Sequence, residues 1–215
     1  MSLNRRNFLK FACLASFASP LGLLASCSHQ KFYNPDQDIV FGGGEFLQND
    51  SLRHVLAITN LQQQDSKLID LDFLAHGIII DPKDKQRLLA FEKDGANAAA
   101  VNLATNTQTQ KISSTEDKQF TGHAVFNKTG NTLFCTETYL KDGRGIISIR
   151  DGESFDILGE FSSYGENPHQ CQLINDGATI VVTNAGSATN IDKSQASVTY
   201  IDMQSKKLVE HVTLD

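Results

Sequence analysis

The sequence contains no tryptophan, so the Trp-Asp dipeptide that marks one large class of repeat protein is missing. After residue 27 no stretch keeps apolar residues at helical spacing, which leaves strands as the recurring element. No apolar run reaches the ~20 residues of a comfortable membrane span; the longest, Phe11 to Ala25, falls short. Basic residues are outnumbered, 19 Lys and Arg against 25 Asp and Glu, and they form no stripe, so the chain is a poor candidate for binding nucleic acid. Catalytic signatures are missing as well. Gly42-Gly43-Gly44 lacks the Lys-Ser/Thr of a phosphate loop and reads as a bulge or a close backbone approach. Ser162-Ser163-Tyr164-Gly165 lacks the spacing of a nucleophile elbow. Asp94-Gly95 and Asp142-Gly143-Arg144-Gly145 read as turns, and the scattered carboxylates, Asp192 and Asp202 among them, show no ligand spacing. No nucleophile with its own base can be picked out, and the leading expectation is a protein that is not an enzyme.

What is present begins with a leader. Asn4-Arg5-Arg6-Asn7-Phe8-Leu9-Lys10 carries paired arginines ahead of the apolar segment, and Leu24-Ala25-Ser26-Cys27 closes it. This looks like a twin-arginine export signal ending in a bacterial lipobox. It implies that Arg5 and Arg6 address residues 1–27 for export and that Cys27 becomes the lipid-modified first residue of the mature protein. An ordinary signal peptide, with Cys27 incidental, is the alternative. Removing Arg5, Arg6 and Lys10 with the leader takes the formal charge from −6 to −9. Residues 28–37 are polar, with a turn at Asn34-Pro35-Asp36, and read as a tether. The expected location is the periplasm of a Gram-negative bacterium, with the membrane as partner through the lipid. Ser28, not being an aspartate, favours the outer membrane by the usual sorting tendency. Cys135 and Cys171 remain after the leader and fall in expected inner strands, where a thiol packs as a small hydrophobe, although an exported domain would also permit a disulfide.

Residues 38–215 repeat. Asn167-Pro168-His169-Gln170-Cys171 leads through a short apolar run to Asn175-Asp176-Gly177 and then to the β-branched run Thr179 to Asn184, a hairpin opened by a histidine. The same pattern starts at His123 and at His76, so the histidines lie 46 and 47 residues apart. A period of that size with four strands per unit means a propeller blade. The second strands end at Glu92, Glu137 and Asn184. Third strands follow at 98–103, 145–150 and 197–203, and outer strands at 109–113, 155–161 and 207–214. The small, polar segment 185–196 reads as a loop on the binding face. The blades are then 38–75, 76–122, 123–168 and 169–215, the first without a His-led strand. The expected fold is all-β, a propeller-like array of about four four-stranded blades, either an open array shortened from a larger propeller or a four-bladed ring.

A family resemblance joins this reading. Its residues are the paired arginines, His76-Gly77-Ile78 before Asp81-Pro82, Gly122-His123-Ala124-Val125-Phe126, Thr136-Glu137-Thr138, Gly159-Glu160-Phe161, Pro168-His169, Asp176-Gly177 and Val182-Thr183-Asn184-Ala185-Gly186. From about Tyr33 to Asp215 the chain resembles a family of exported bacterial proteins known only as domain of unknown function 1513. The resemblance implies a β-propeller of the YVTN or quinoprotein amine dehydrogenase type, of about seven blades and longer than this chain. Members are often encoded beside imelysin-type, iron-regulated lipoproteins, which implies a link to iron uptake and a periplasmic protein partner. It implies no activity.

The histidines invite a metal. Antiparallel pairing should set His76 near Glu92, His123 near Glu137 and His169 near Asn184, all on one rim of the central channel. Imidazole with carboxylate suits zinc, iron or copper. Equivalent positions on adjacent blades are expected to lie a whole sheet apart, however, which argues against one ion shared by three rings. A histidine opening an inner strand can equally hydrogen-bond a neighbouring backbone and lock blade to blade. The leading functional reading is therefore a lipid-anchored propeller whose rim binds a ligand or a protein partner. The alternative is a periplasmic metal- or redox-dependent enzyme with a His-lined channel.

Overall fold

The computed structural model describes residues 32–187 and 195–214 and folds them almost wholly as antiparallel strands. The first unit holds β1 (Ile39–Gln48), β2 (Ser51–Asn60) and β3 (Asp65–Leu71). The second holds β4 (Ala75–Ile80), β5 (Arg87–Gly95), β6 (Asn97–Asn102) and β7 (Thr107–Ser113). The third holds β8 (Lys118–Phe126), β9 (Thr132–Tyr139), β10 (Arg144–Asp151) and β11 (Ile157–Glu166). The fourth holds β12 (Pro168–Ile174), β13 (Thr179–Asn184), β14 (Ser197–Asp202) and β15 (Leu208–Thr213). The strands β1, β4, β8 and β12 pack in succession along the inside of the array. The result is an all-β, propeller-like fold in which, among the described residues, no sheet closes on itself.

Two features differ from the expected set of separate four-stranded blades. The first unit has three strands among the described residues. The second and third units share one eight-stranded sheet, because β5 runs past Glu92 and pairs with the start of β8, Lys93 opposite Thr121 and Gly95 opposite Phe120. The expected turn at Asp94-Gly95 is therefore inside a strand. β8 begins at Lys118, well ahead of His123, and the backbone groups of that lead-in need partners; the extension of β5 supplies them. The hairpin around Asn175-Asp176-Gly177 is present, closed by a short 3-10 turn whose three residues take φ of 52°, 54° and 88°. Asn, Asp and Gly are the residues that tolerate this left-handed region.

Side-chain alternation along each strand fills the space between units. Leu88 and Ala90 of β5 face Leu56, Ile58 and Ile69 of the first unit, while Leu89 and Phe91 face Phe120, Leu133 and Cys135 of the third. Along β9, Cys135 joins that second layer and Phe134 joins a third with Ile147, Cys171, Ile180 and Ile201. Covering both faces explains why β5 reads as an unbroken apolar run. Burying each such side chain contributes about 1.5–3 kcal/mol. Cys135 and Cys171 are free, buried thiols, and burial pushes Cys171 up to about 12 and Cys135 upward as well.

The glycine triplet in β1 is a close approach and not a bulge. Its register with β2 is unbroken, and a Cβ on Gly43 would lie 1.8 Å from the Ala75 carbonyl oxygen. Part of the expected tether packs on the first unit. Tyr33 is buried in its core, and the Asn60 amide donates to the Phe32 carbonyl at 3.0 Å and to Gln37 Oε1 at 2.7 Å. The leader with Arg5, Arg6 and Cys27, the tether through Lys31, and residues 188–194 of the expected binding-face loop lie outside the described residues.

Candidate metal centre at the inner-strand ends

Each of the three inner strands carries its histidine in a β-bulge. β4 pairs Ala75 with Glu92 and next Gly77 with Phe91, which leaves His76 over. β8 pairs Phe120 with Glu137 and resumes at Ala124 with Cys135, leaving Thr121, Gly122 and His123 over. β12 pairs Pro168 with Asn184 and then Gln170 with Thr183, leaving His169 over. A bulged residue escapes the alternation that sends its neighbours into the layers between blades, and its side chain is re-aimed. All three rings are re-aimed to one point. Ring centroids are 4.9 Å apart for His76 and His123, 5.6 Å for His76 and His169, and 4.7 Å for His123 and His169. One ligating nitrogen from each ring lies within 4.8 Å of the others, with His76 exposed and the other two half-buried.

This overturns the expectation that the three rings are too far apart for one ion. Packed sheets stand ~10 Å apart face to face, but at this end the inner strands meet backbone to backbone. A Cβ on Gly77 would lie 1.7 Å from the Gly122 carbonyl oxygen, so only glycine fits. Gly122 itself sits at φ +105°, with the His76 ring 2.7 Å from where its Cβ would be.

The expected polar companions do not join the trio. Glu92, Glu137 and Asn184 are close to the histidines in register, but Glu92 and Asn184 bind the third strands of their own units, and Glu137 binds its own third strand and the turn between the second and third units. Glu92 accepts from the Asn97 backbone N–H at 3.0 Å and from its amide at 2.7 Å. Asn184 donates to Thr199 Oγ1 at 3.3 Å. Glu137, with none of its surface exposed, accepts from Arg150 at 3.0 Å and from the Ser114 hydroxyl at 2.6 Å, and Ser148 also donates to it.

Among the described residues no hydrogen bond from the three imidazoles links one blade to the next, although the rings touch one another edge to edge. That link runs through Thr136, whose hydroxyl donates to the backbone carbonyl of His123 at 2.9 Å and lies 3.4 Å from that of His169. His123 Nε2 is buried without a hydrogen-bond partner among the described residues. Burial first, then the charges of His169, His76 and Lys93, lowers His123 from 6.5 to about 4. Burial, then Lys93 and His76, also lowers His169, with Asp94 pulling the other way. At neutral pH these two rings are neutral, the state a metal ligand needs. Of the remaining histidines, His54 is half-buried beside Glu45 and His211 is exposed on β15.

Sequence reasoning missed Arg150, Ser148 and Ser114 around Glu137, the Thr136 hydroxyl link beside the trio, and Lys93, whose Cβ lies near the His76 ring. Arg150 stands in a strand that is buried along most of its length, and Thr136 entered the sequence reading only within the Thr136-Glu137-Thr138 motif.

A family model described as a protein of unknown function, DUF1513, matches residues 69–215. No curated protein matches the chain. Among solved structures, the hydrazine synthase of Kuenenia stuttgartiensis is similar at a TM-score of 0.62 and 15% identity, over 76% of this chain and 46% of that one. The dihydro-heme d1 dehydrogenase NirN, in complex with DHE, gives 0.57 and 14% over 80% and 37%. An oligogalacturonate lyase in complex with manganese gives 0.55 and 13% over 73% and 41%. These likenesses are of fold. The chain spans less than half the length of each of these structures.

Proposed function

The chain belongs to this family, DUF1513, and we propose that it is a metal-binding propeller that holds one divalent transition-metal ion between His76, His123 and His169. The observation that carries the reading is the convergence of one nitrogen from each of three rings within 4.8 Å; His123 Nε2 is in addition buried with no hydrogen-bond partner among the described residues. Metal–nitrogen bonds of about 2.05 Å set tetrahedral ligands about 3.3 Å apart. Each ring therefore has to draw inward by less than about 1 Å, within reach of small side-chain rotations. Three imidazoles suit zinc, copper, iron or nickel and leave positions open toward the exposed side. The fold neighbour solved with manganese supports the idea that this architecture accommodates a metal. The link to iron uptake comes from the family resemblance, and iron is one of the metals to be distinguished.

The test is elemental analysis and metal titration of protein purified without chelator. One ion per chain is expected, lost in His123→Ala and His169→Ala while the fold survives by circular dichroism. A folded wild-type chain that takes up no stoichiometric metal overturns the reading. Export and lipid anchoring through Arg5, Arg6 and Cys27 are part of the same proposal. Mass spectrometry of the membrane-extracted protein should find an acylated Cys27 as the first residue; an intact leader would refute it.

A further inference from the structure

We propose that the metal-loaded histidine trio takes a small oxyanion as its exogenous ligand, with the Lys93 ammonium as the second anchor. This rests on the metal reading above. The donor set is all imidazole: among the described residues no carboxylate joins the three rings, since Glu92 and Glu137 are committed to their own blades. An ion held there keeps its full positive charge, which favours an anionic oxygen donor in the open positions.

Lys93 stands at the edge of that opening. It is opposite Thr121 in the short ladder between β5 and β8, immediately beside the bulge that re-aims His123. Its Cβ and the His76 ring both lie within 3.4 Å of the point where Gly122 would carry a Cβ, so the lysine stem and that imidazole flank the same spot. Lys93 is exposed and has no ion pair among the described residues. Its charge is felt at both His123 and His169. The same bulge leaves the Thr121 hydroxyl buried and without a partner. Asp94, the next residue, is the one carboxylate whose charge is felt at His169, and it opposes an incoming anion. The two neighbours therefore make predictions of opposite sign.

The experiment uses the full chain loaded with cobalt(II) in a non-coordinating buffer, titrated with acetate, oxalate and phosphate and followed by the visible cobalt bands. Lys93→Met is expected to weaken oxyanion binding roughly tenfold, the loss of one charge-assisted contact. Lys93→Arg should stay within about twofold, and Asp94→Asn should tighten binding by a factor of a few. Neutral imidazole, titrated as a control, should bind all variants alike. Cobalt bound with equal oxyanion affinity in wild type and Lys93→Met overturns this inference and leaves the metal centre standing, as does an equal effect on imidazole. A folded protein that shows no cobalt bands at all overturns both.

Discussion

The histidine trio and the Glu137–Arg150 pair start from neighbouring positions on the same ladder and end in opposite conditions. Phe120 pairs with Glu137 and Ala124 with Cys135, so His123 and Glu137 are separated by only a bulge. Glu137 points into the layer between blades, where every acceptor is used. Arg150 pairs with it, donates to the Ser113 carbonyl at 3.1 Å and lies 5.1 Å over the Phe120 ring. His123 converges with His76 and His169, and its buried Nε2 has no hydrogen-bond partner among the described residues. Buried polar groups are ordinarily hydrogen-bonded, and an exception in a native site calls for a reason. The contrast is what the proposed metal reading rests on: Glu137 and Arg150 complete each other, whereas His123 Nε2 has no partner among the described residues.

The largest expected effect falls on the buried pair. Removing one partner strands a charge, so Glu137→Ala should cost about 3–5 kcal/mol in denaturant unfolding. His123→Ala should cost less than about 1 kcal/mol, because it relieves an unsatisfied buried atom. Equal losses at the two positions would erase the distinction. A middle-sized effect is expected from Gly122→Ala, which sets a side chain at φ +105° against the His76 ring. A loss of about 1–3 kcal/mol is expected, together with loss of metal uptake; retained metal binding would show that the close approach does not position the rings. A pH slope is expected as well, in the metal-free protein. His123 titrates at about 4 in the folded chain against 6.5 for the free side chain. Between those values the unfolded chain binds the extra proton, so stability should fall as pH drops from 6.5 to about 4. Above 6.5 the ring contributes nothing, and His169, also lowered, adds to the fall with the same sign. His123→Asn should flatten the slope; an unchanged slope would place its origin elsewhere.

Much of the fold was legible because strands declare themselves by alternation and turns by Asn, Asp and Gly. The histidine spacing located three of the four units, and the expected third and outer strands fall close to the observed ones. The union of the second and third units was not legible, since Lys93 to Gly95 and Lys118 to Thr121 carry no pattern that pairs them. At the candidate site the three histidines, expected as a set, converge in the structure, while Glu92, Glu137 and Asn184 lie beside them in register and bind other partners. Register predicts which Cα atoms are neighbours. A break in the ladder, one residue in β4 and β12 and three in β8, decides where a side chain points.

The sequence by itself determined the repeat, the strands of the three His-led units, and the presence of one histidine in each of three inner strands. Only the tertiary structure decided that those imidazoles share one point, because their separation depends on how closely the Gly77 and Gly122 backbones approach and on where each ladder skips a residue. Periodicity along a chain is a local property, written in consecutive side chains. The distance between strands of different blades is set by packing across the whole array.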